Sequence, residues 1–147
     1  MIFRVLMFLT CLAAPATAQT VQPCDWQARA DAIAEPWEDN TRTYANGNVR
    51  LALIDTVEPA AGAYHVLVLS PPFGELGERQ CRTVGLEQGM GFAGIDFGSL
   101  NAAYDASVGL VFELDVQRYA PDMDAFLPAR LHFSVNQGTG FIGVHMQ

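Results

Sequence analysis

The 147-residue chain contains no lysine. All eight of its cationic side chains are arginines, against 16 aspartates and glutamates, and the formal charge is −8. The arginines form no basic stripe. A strongly acidic chain without one lacks the footprint that nucleic acid or anionic lipid recognises, so no nucleic-acid partner is expected. The acids are themselves scattered, which argues against an acidic tail.

Long apolar runs are also missing. The longest begins at Val5 and ends at Ala14, short of the roughly 20 residues that span a bilayer. No transmembrane segment is expected. Arg4 precedes that run, and the small residues Ala16 and Ala18 follow it, three and one positions before Gln19. A charged start, an apolar middle and a small-residue cleavage site describe a secretory signal peptide over residues 1–18. Residues 19–147 then form the mature chain, read as a single β-rich globular domain destined for the periplasm or for secretion. Its formal charge is −9, because Arg4 is lost with the leader.

Cysteine is scarce. Cleavage removes Cys11 and leaves Cys24 and Cys81. An even pair in an oxidising compartment reads as a disulfide. Two cysteines this far apart have no zinc-ligand spacing, and a bridge between them would stabilise by about 4 kcal/mol in the chain-entropy model.

Catalytic signatures are absent too. There is no G-x-S-x-G elbow, no H-E-x-x-H, no P-loop and no G-x-G-x-x-G opening a helix. Asp96, Asp105, Asp122 and Asp124 match no calcium loop. If the disulfide forms, no cysteine nucleophile remains.

What is present is strand patterning. Val108, Leu110, Phe112, Leu114 and Val116 alternate with Glu113, Asp115 and Gln117, which predicts a half-buried strand. "AYHVLVLS" is apolar on both faces and predicts a central strand, with His65 a hydrogen-bonded core histidine. Asn46-Gly47 lies between two strand-like runs and predicts a hairpin with a type I′ turn. "GMGFAGIDF" reads as a bulged strand. One stretch carries a helical period instead: Trp26, Ala30, Ile33, Ala34 and Trp37 fall on one face, with Asp25 as N-cap and Pro36 as the stop. That spacing predicts a helix over 25–35 with both tryptophans in the core; a ligand-stacking pair is the alternative. The fold class expected is mainly β, an antiparallel sandwich or open barrel of about seven or eight short strands with one N-terminal helix.

The segment "HFSVNQGTGFIGVH" begins and ends on histidine. A two-residue type II′ turn at Gly138-Thr139 pairs Gln137 with Gly140 and sets His132 opposite His145. Counting from that turn, the pair falls at a non-hydrogen-bonded site with Cα atoms roughly 4.5 Å apart. Two imidazoles so placed offer a zinc or copper site if Glu113 or Asp115 supplies a further ligand. The plainer reading is a solvated cross-strand pair.

The connection "SPPFGELGE", residues 70–78, holds Phe73 between prolines and the acids Glu75 and Glu78. It reads either as a partner-binding loop with Phe73 as apolar anchor or as a plain strand exit with Phe73 folded into the core. The leading functional reading is an exported, disulfide-containing, non-catalytic domain that binds a protein or another envelope component. The alternatives are a metal-binding protein using His132 and His145, and then a small hydrolase working through histidine and carboxylates.

Overall fold

The computed structural model describes residues 19–147. The expected leader lies outside the described residues. Nine strands run in chain order: β1 (Thr20–Pro23), β2 (Thr41–Tyr44), β3 (Val49–Asp55), β4 (Tyr64–Phe73), β5 (Arg79–Gly85), β6 (Gly94–Asp105), β7 (Gly109–Ala120), β8 (Ala125–Val135) and β9 (Ile142–Met146). They form two antiparallel sheets, ordered β1-β5-β4-β3-β2 and β6-β7-β8-β9. The mainly β, antiparallel expectation holds. The ninth strand is β1, whose four residues are too few to show alternation in the sequence.

The two sheets share one apolar core. Leu51, Val66 and Val84 come from the first, and Phe112, Leu131 and Phe133 from the second. Phe112 stacks on Phe133 with ring centroids 4.8 Å apart and meets Tyr44 of the opposite sheet edge-on at 5.0 Å. The alternation read over 108–116 is observed from Phe112 on: Phe112, Leu114 and Val116 are buried and Leu110 is partly buried, but Val108 lies in the turn before β7 and is exposed.

The N-terminal helix is not formed. Residues 24–40 make instead an irregular strap with a single 3-10 turn at Ala30–Ala32. The reason lies in the neighbouring strand. β2 pairs only with Val49–Ala52 of β3, which leaves Leu53 and Ile54 with an open edge. The strap fills it: Ile33 bridges Ile54, Ala34 N–H donates to Leu53 O at 2.9 Å, and Leu53 N–H donates to Asn40 O at 2.9 Å. Satisfying a buried edge outweighs a local helical period, whose intrinsic preference is weak. The strap lays Ala32 over Ala52, Ile54 and Leu67 on the outer face of the first sheet. Cys24 and Cys81 are bridged, with Cα atoms 5.3 Å apart, and pin its start to β5. The tryptophans do not enter the core: Trp26 is 50% and Trp37 is 47% exposed.

His65 is buried in β4, as read from the sequence, but its ring makes no hydrogen bond among the described residues. It is wedged between two glycines. A Cβ at Gly91 would stand 2.8 Å from His65 Nε2, and one at Gly85 would stand 3.1 Å from Nδ1. Desolvation holds the His65 imidazole below its ordinary pKa of 6.5. The folded state therefore favours the neutral ring, and its contribution to stability is complete above pH 6.5 and lost as pH falls from there toward the folded pKa. Urea unfolding at about pH 7.5 and about pH 5.5 should show this, with a slope of at most about 1.4 kcal/mol per pH unit. His65→Gln should flatten that part of the profile. An unchanged slope in the variant would assign the pH dependence to other groups.

Candidate functional site

Four chain reversals gather at one end of the two sheets. They join β2 to β3, β4 to β5, β6 to β7 and β8 to β9. Antiparallel pairing dictates the grouping, since Arg50 faces Leu69 and Leu110 faces Val135 near these strand ends. The reversals are cross-tied. Arg79 donates from Nε to Asn48 O and from Nη2 to Gly47 O, both at 3.1 Å. Gln80 Nε2 donates to Gly140 O at 2.9 Å and to the buried Ser70 Oγ at 2.8 Å. These bonds fasten the β4–β5 connection to the reversals on both sides of it.

The turn chemistry departs from the sequence reading in detail. The β2–β3 hairpin forms around Asn46-Gly47, but Tyr44 pairs with Val49, so its loop has four residues, 45–48, rather than two. Ala45, Asn46 and Gly47 take φ of 52°, 55° and 84°, and Gly47 N–H donates to Tyr44 O and Asn48 N–H to Ala45 O, both at 3.1 Å. The β8–β9 loop has four residues, 137–140, rather than two. Asn136 N–H donates to Phe141 O at 2.9 Å, Gly140 takes φ of +76°, and Asn136 Oδ1 accepts from Gly138 and Thr139 N–H at 3.0 Å each. Only glycine adopts that φ without strain.

This end exposes four large apolar side chains to solvent among polar ones. Phe73 is 48% exposed, Leu76 94% and Phe141 68%, and Val108 is exposed as well. Phe73 rests against Arg79, whose guanidinium carbon lies 5.6 Å from the ring centroid. Of the two readings of Phe73, the structure has the outward one. Carboxylates surround the apolar residues. Glu75 and Glu78 are exposed, and Glu78 Oε2 accepts from Leu76 N–H at 3.1 Å. Asp105 accepts from the Ser107 hydroxyl and N–H, which holds its carboxyl below the ordinary carboxylate value.

The histidines lie elsewhere, on the outer face of the second sheet. The expected register is observed: His132 faces His145, Phe133 faces Val144 and Val135 faces Ile142. The expected hydrogen-bond parity is not. Arg130 and Gln147 exchange both backbone bonds at 2.9 Å. His132 and His145, two residues further along, therefore occupy a hydrogen-bonded site. A four-residue loop keeps the same axis of symmetry as a two-residue turn but swaps the two kinds of site. The imidazoles stack, with centroids 4.8 Å apart and planes 6° from parallel.

β7 does lie alongside β8. Glu113 faces His132, with Oε1 3.5 Å from Nδ1, and Asp115 faces Arg130. Asp115 Oδ1 accepts from Arg130 Nε and Nη2 at 3.0 and 2.7 Å, so the arginine is held toward Asp115. Imidazole lone pairs lie in the ring plane, and parallel stacked rings direct them along parallel planes rather than toward one point. Among the described residues no group of three or more His, Cys, Asp or Glu side chains is arranged to hold a metal ion. Nor does any helix among them have the length and apolarity to cross a membrane.

Sequence reasoning missed Leu76, Phe141 and Trp26 as surface residues. Phe141 had a signal, since it breaks the polar alternation of Gly143 and His145 on its face. Leu76 had only its place in a Pro/Gly loop, and Trp26 was masked by a helical period. No family model, curated protein or solved structure matches the chain.

Proposed function

We propose that the protein is an exported, non-catalytic domain that binds a protein or another envelope component through the hairpin end. The observation that carries this reading is the convergence of Phe73, Leu76 and Phe141 on cross-tied reversals at one end of the sheets. Large apolar side chains exposed together at one end of a fold are candidates for an interaction site. A recognition surface needs anchors on a rigid support and no reacting groups. The carboxylates Glu75, Glu78 and Asp105 around the anchors would favour a partner whose apolar recess has a basic rim. The disulfide supports an oxidising compartment, in keeping with export.

The test is a paired variant. Phe73→Ala with Leu76→Ala should lower stability by less than about 1 kcal/mol, because both side chains face solvent. It should weaken capture of an envelope partner by roughly thirtyfold, the loss of about 2 kcal/mol typical of an interface anchor. Immobilised wild type, the double variant and Trp37→Ala would be compared against one envelope extract. A species retained by wild type and Trp37→Ala but lost by the double variant supports the surface. Retention of the same species by all three would remove it. A stability loss near about 3–5 kcal/mol for Phe73→Ala alone would show that the ring packs rather than binds.

A further inference from the structure

Trp26 has no place in the core, yet its position is fixed. It is the first central residue of a turn closed by Ala28 N–H to Asp25 O at 2.9 Å. Cys24, two residues before it, is bridged to Cys81 and donates its N–H to Cys81 O at 3.2 Å. Gln27, the next residue, is buried. The half-exposed indole therefore stands on anchored backbone on both sides.

It also forms one wall of a recess. Gln22, Pro23, Cys24, Asp25, Gln27, Gln88 and Gly89 line the rest. The far wall is a second tight turn, closed by Met90 N–H to Glu87 O at 3.1 Å and tied to β1 by Gly89 N–H to Gln22 Oε1 at 3.3 Å. The side chains of Asp25 and Gln88 make no hydrogen bond or ion pair among the described residues. The recess thus combines an aromatic plate with a carboxylate that only accepts and an amide that both donates and accepts, all unspent.

We propose that this recess binds a neutral saccharide. A pyranose ring has an apolar face of C–H groups and a rim of hydroxyls. The indole covers such a face, as amphipathic aromatic side chains do at partly wet sites. Asp25 and Gln88 then accept from and donate to hydroxyls at its edge. Asp25 and the acidic charge of the chain disfavour anionic glycans. Both walls are built before the ligand arrives, which limits the ordering cost of binding. The recess adjoins the β5–β6 turn, and that turn lies at the other end of β5 from the Phe73 connection. This inference therefore stands apart from the proposed protein-binding surface.

The experiment is isothermal titration calorimetry of the oxidised protein with three neutral trisaccharides: triacetylchitotriose, cellotriose and maltotriose. At least one should bind with a Kd of about 1 mM or tighter. Trp26→Ala should weaken that binding by roughly tenfold or more, and Trp26→Phe, which keeps an aromatic face, by less. Trp37→Ala serves as the control, since Trp37 is as exposed but stands outside the recess. Thermal unfolding of each variant accompanies the titrations. If Trp26→Ala fails to fold, Trp26→Phe and Gln88→Ala carry the comparison, and both should weaken binding. The proposal is overturned if none of the three sugars binds, if binding survives loss of the indole or the Gln88 amide, or if Trp37→Ala loses it equally.

Discussion

Phe112→Ala should lower the free energy of unfolding by about 3–5 kcal/mol, the range for removing a fully buried phenylalanine ring. Phe112 is 0% exposed and sits where the two sheets meet. Its ring stacks on Phe133 from the adjacent strand and receives the edge of Tyr44 from the opposite sheet. Truncation would remove both aromatic contacts and leave a cavity between facing strands. β7 cannot easily move to fill it, because it is hydrogen-bonded to β6 on one side and β8 on the other. A domain of ordinary stability, about 5–15 kcal/mol, would lose a large part of its margin. Urea unfolding followed by circular dichroism measures the change. A loss below about 1 kcal/mol would mean that Phe112 does not join the sheets as described.

Replacing Cys24 and Cys81 together by alanine should cost about 4 kcal/mol in the chain-entropy model. The bridge spans a sequence separation of 57, so its removal frees a long stretch of unfolded chain. The folded state would loosen locally as well. Cys24 and Cys81 belong to the small cluster beneath the strap, with Ala32, Ile54 and Leu67. Without the bridge, the Trp26 turn keeps the β1–β5 pairing that precedes it and the bond from Cys24 N–H to Cys81 O, but loses its side-chain tie to β5. Tryptophan emission and the unfolding midpoint should therefore change together on reduction of the wild-type protein. Equal midpoints for oxidised and reduced protein would show that packing and the backbone bonds to β3 and β5 hold the strap without help from the bridge.

The two predictions probe different scales of information in the chain. Strand faces were legible because a period of two is local. Phe112, Leu114 and Val116 point inward for the same reason that Glu113 and Asp115 point out. The pairing of His132 with His145 was legible too, because one side of the hairpin must be buried and a slip of one residue would reverse both strands. The hydrogen-bond parity at that pair was not. It depends on how Asn136 and Gly140 close the loop, and both closures share one axis.

The Trp26–Trp37 segment shows the other limit. Its period of 3.6 is genuine in the sequence, yet the open edge of β3 at Leu53 and Ile54 takes the backbone of Ile33 and Ala34 into extended pairing. No local pattern announces a partner strand that ends too soon. Phe73 was undecided for a similar reason. Its exposure depends on Arg79 reaching across to Gly47 and Asn48, 32 and 31 residues away in the chain. Residue alternation, turn glycines and the cysteine pair by themselves determined an antiparallel β protein, its faces and its bridge, because those constraints act between near neighbours or through a single pairing. Which loops gather at one end, and which tryptophan stands over a recess, was decided only by the tertiary structure, where distant backbone groups compete for the same partners.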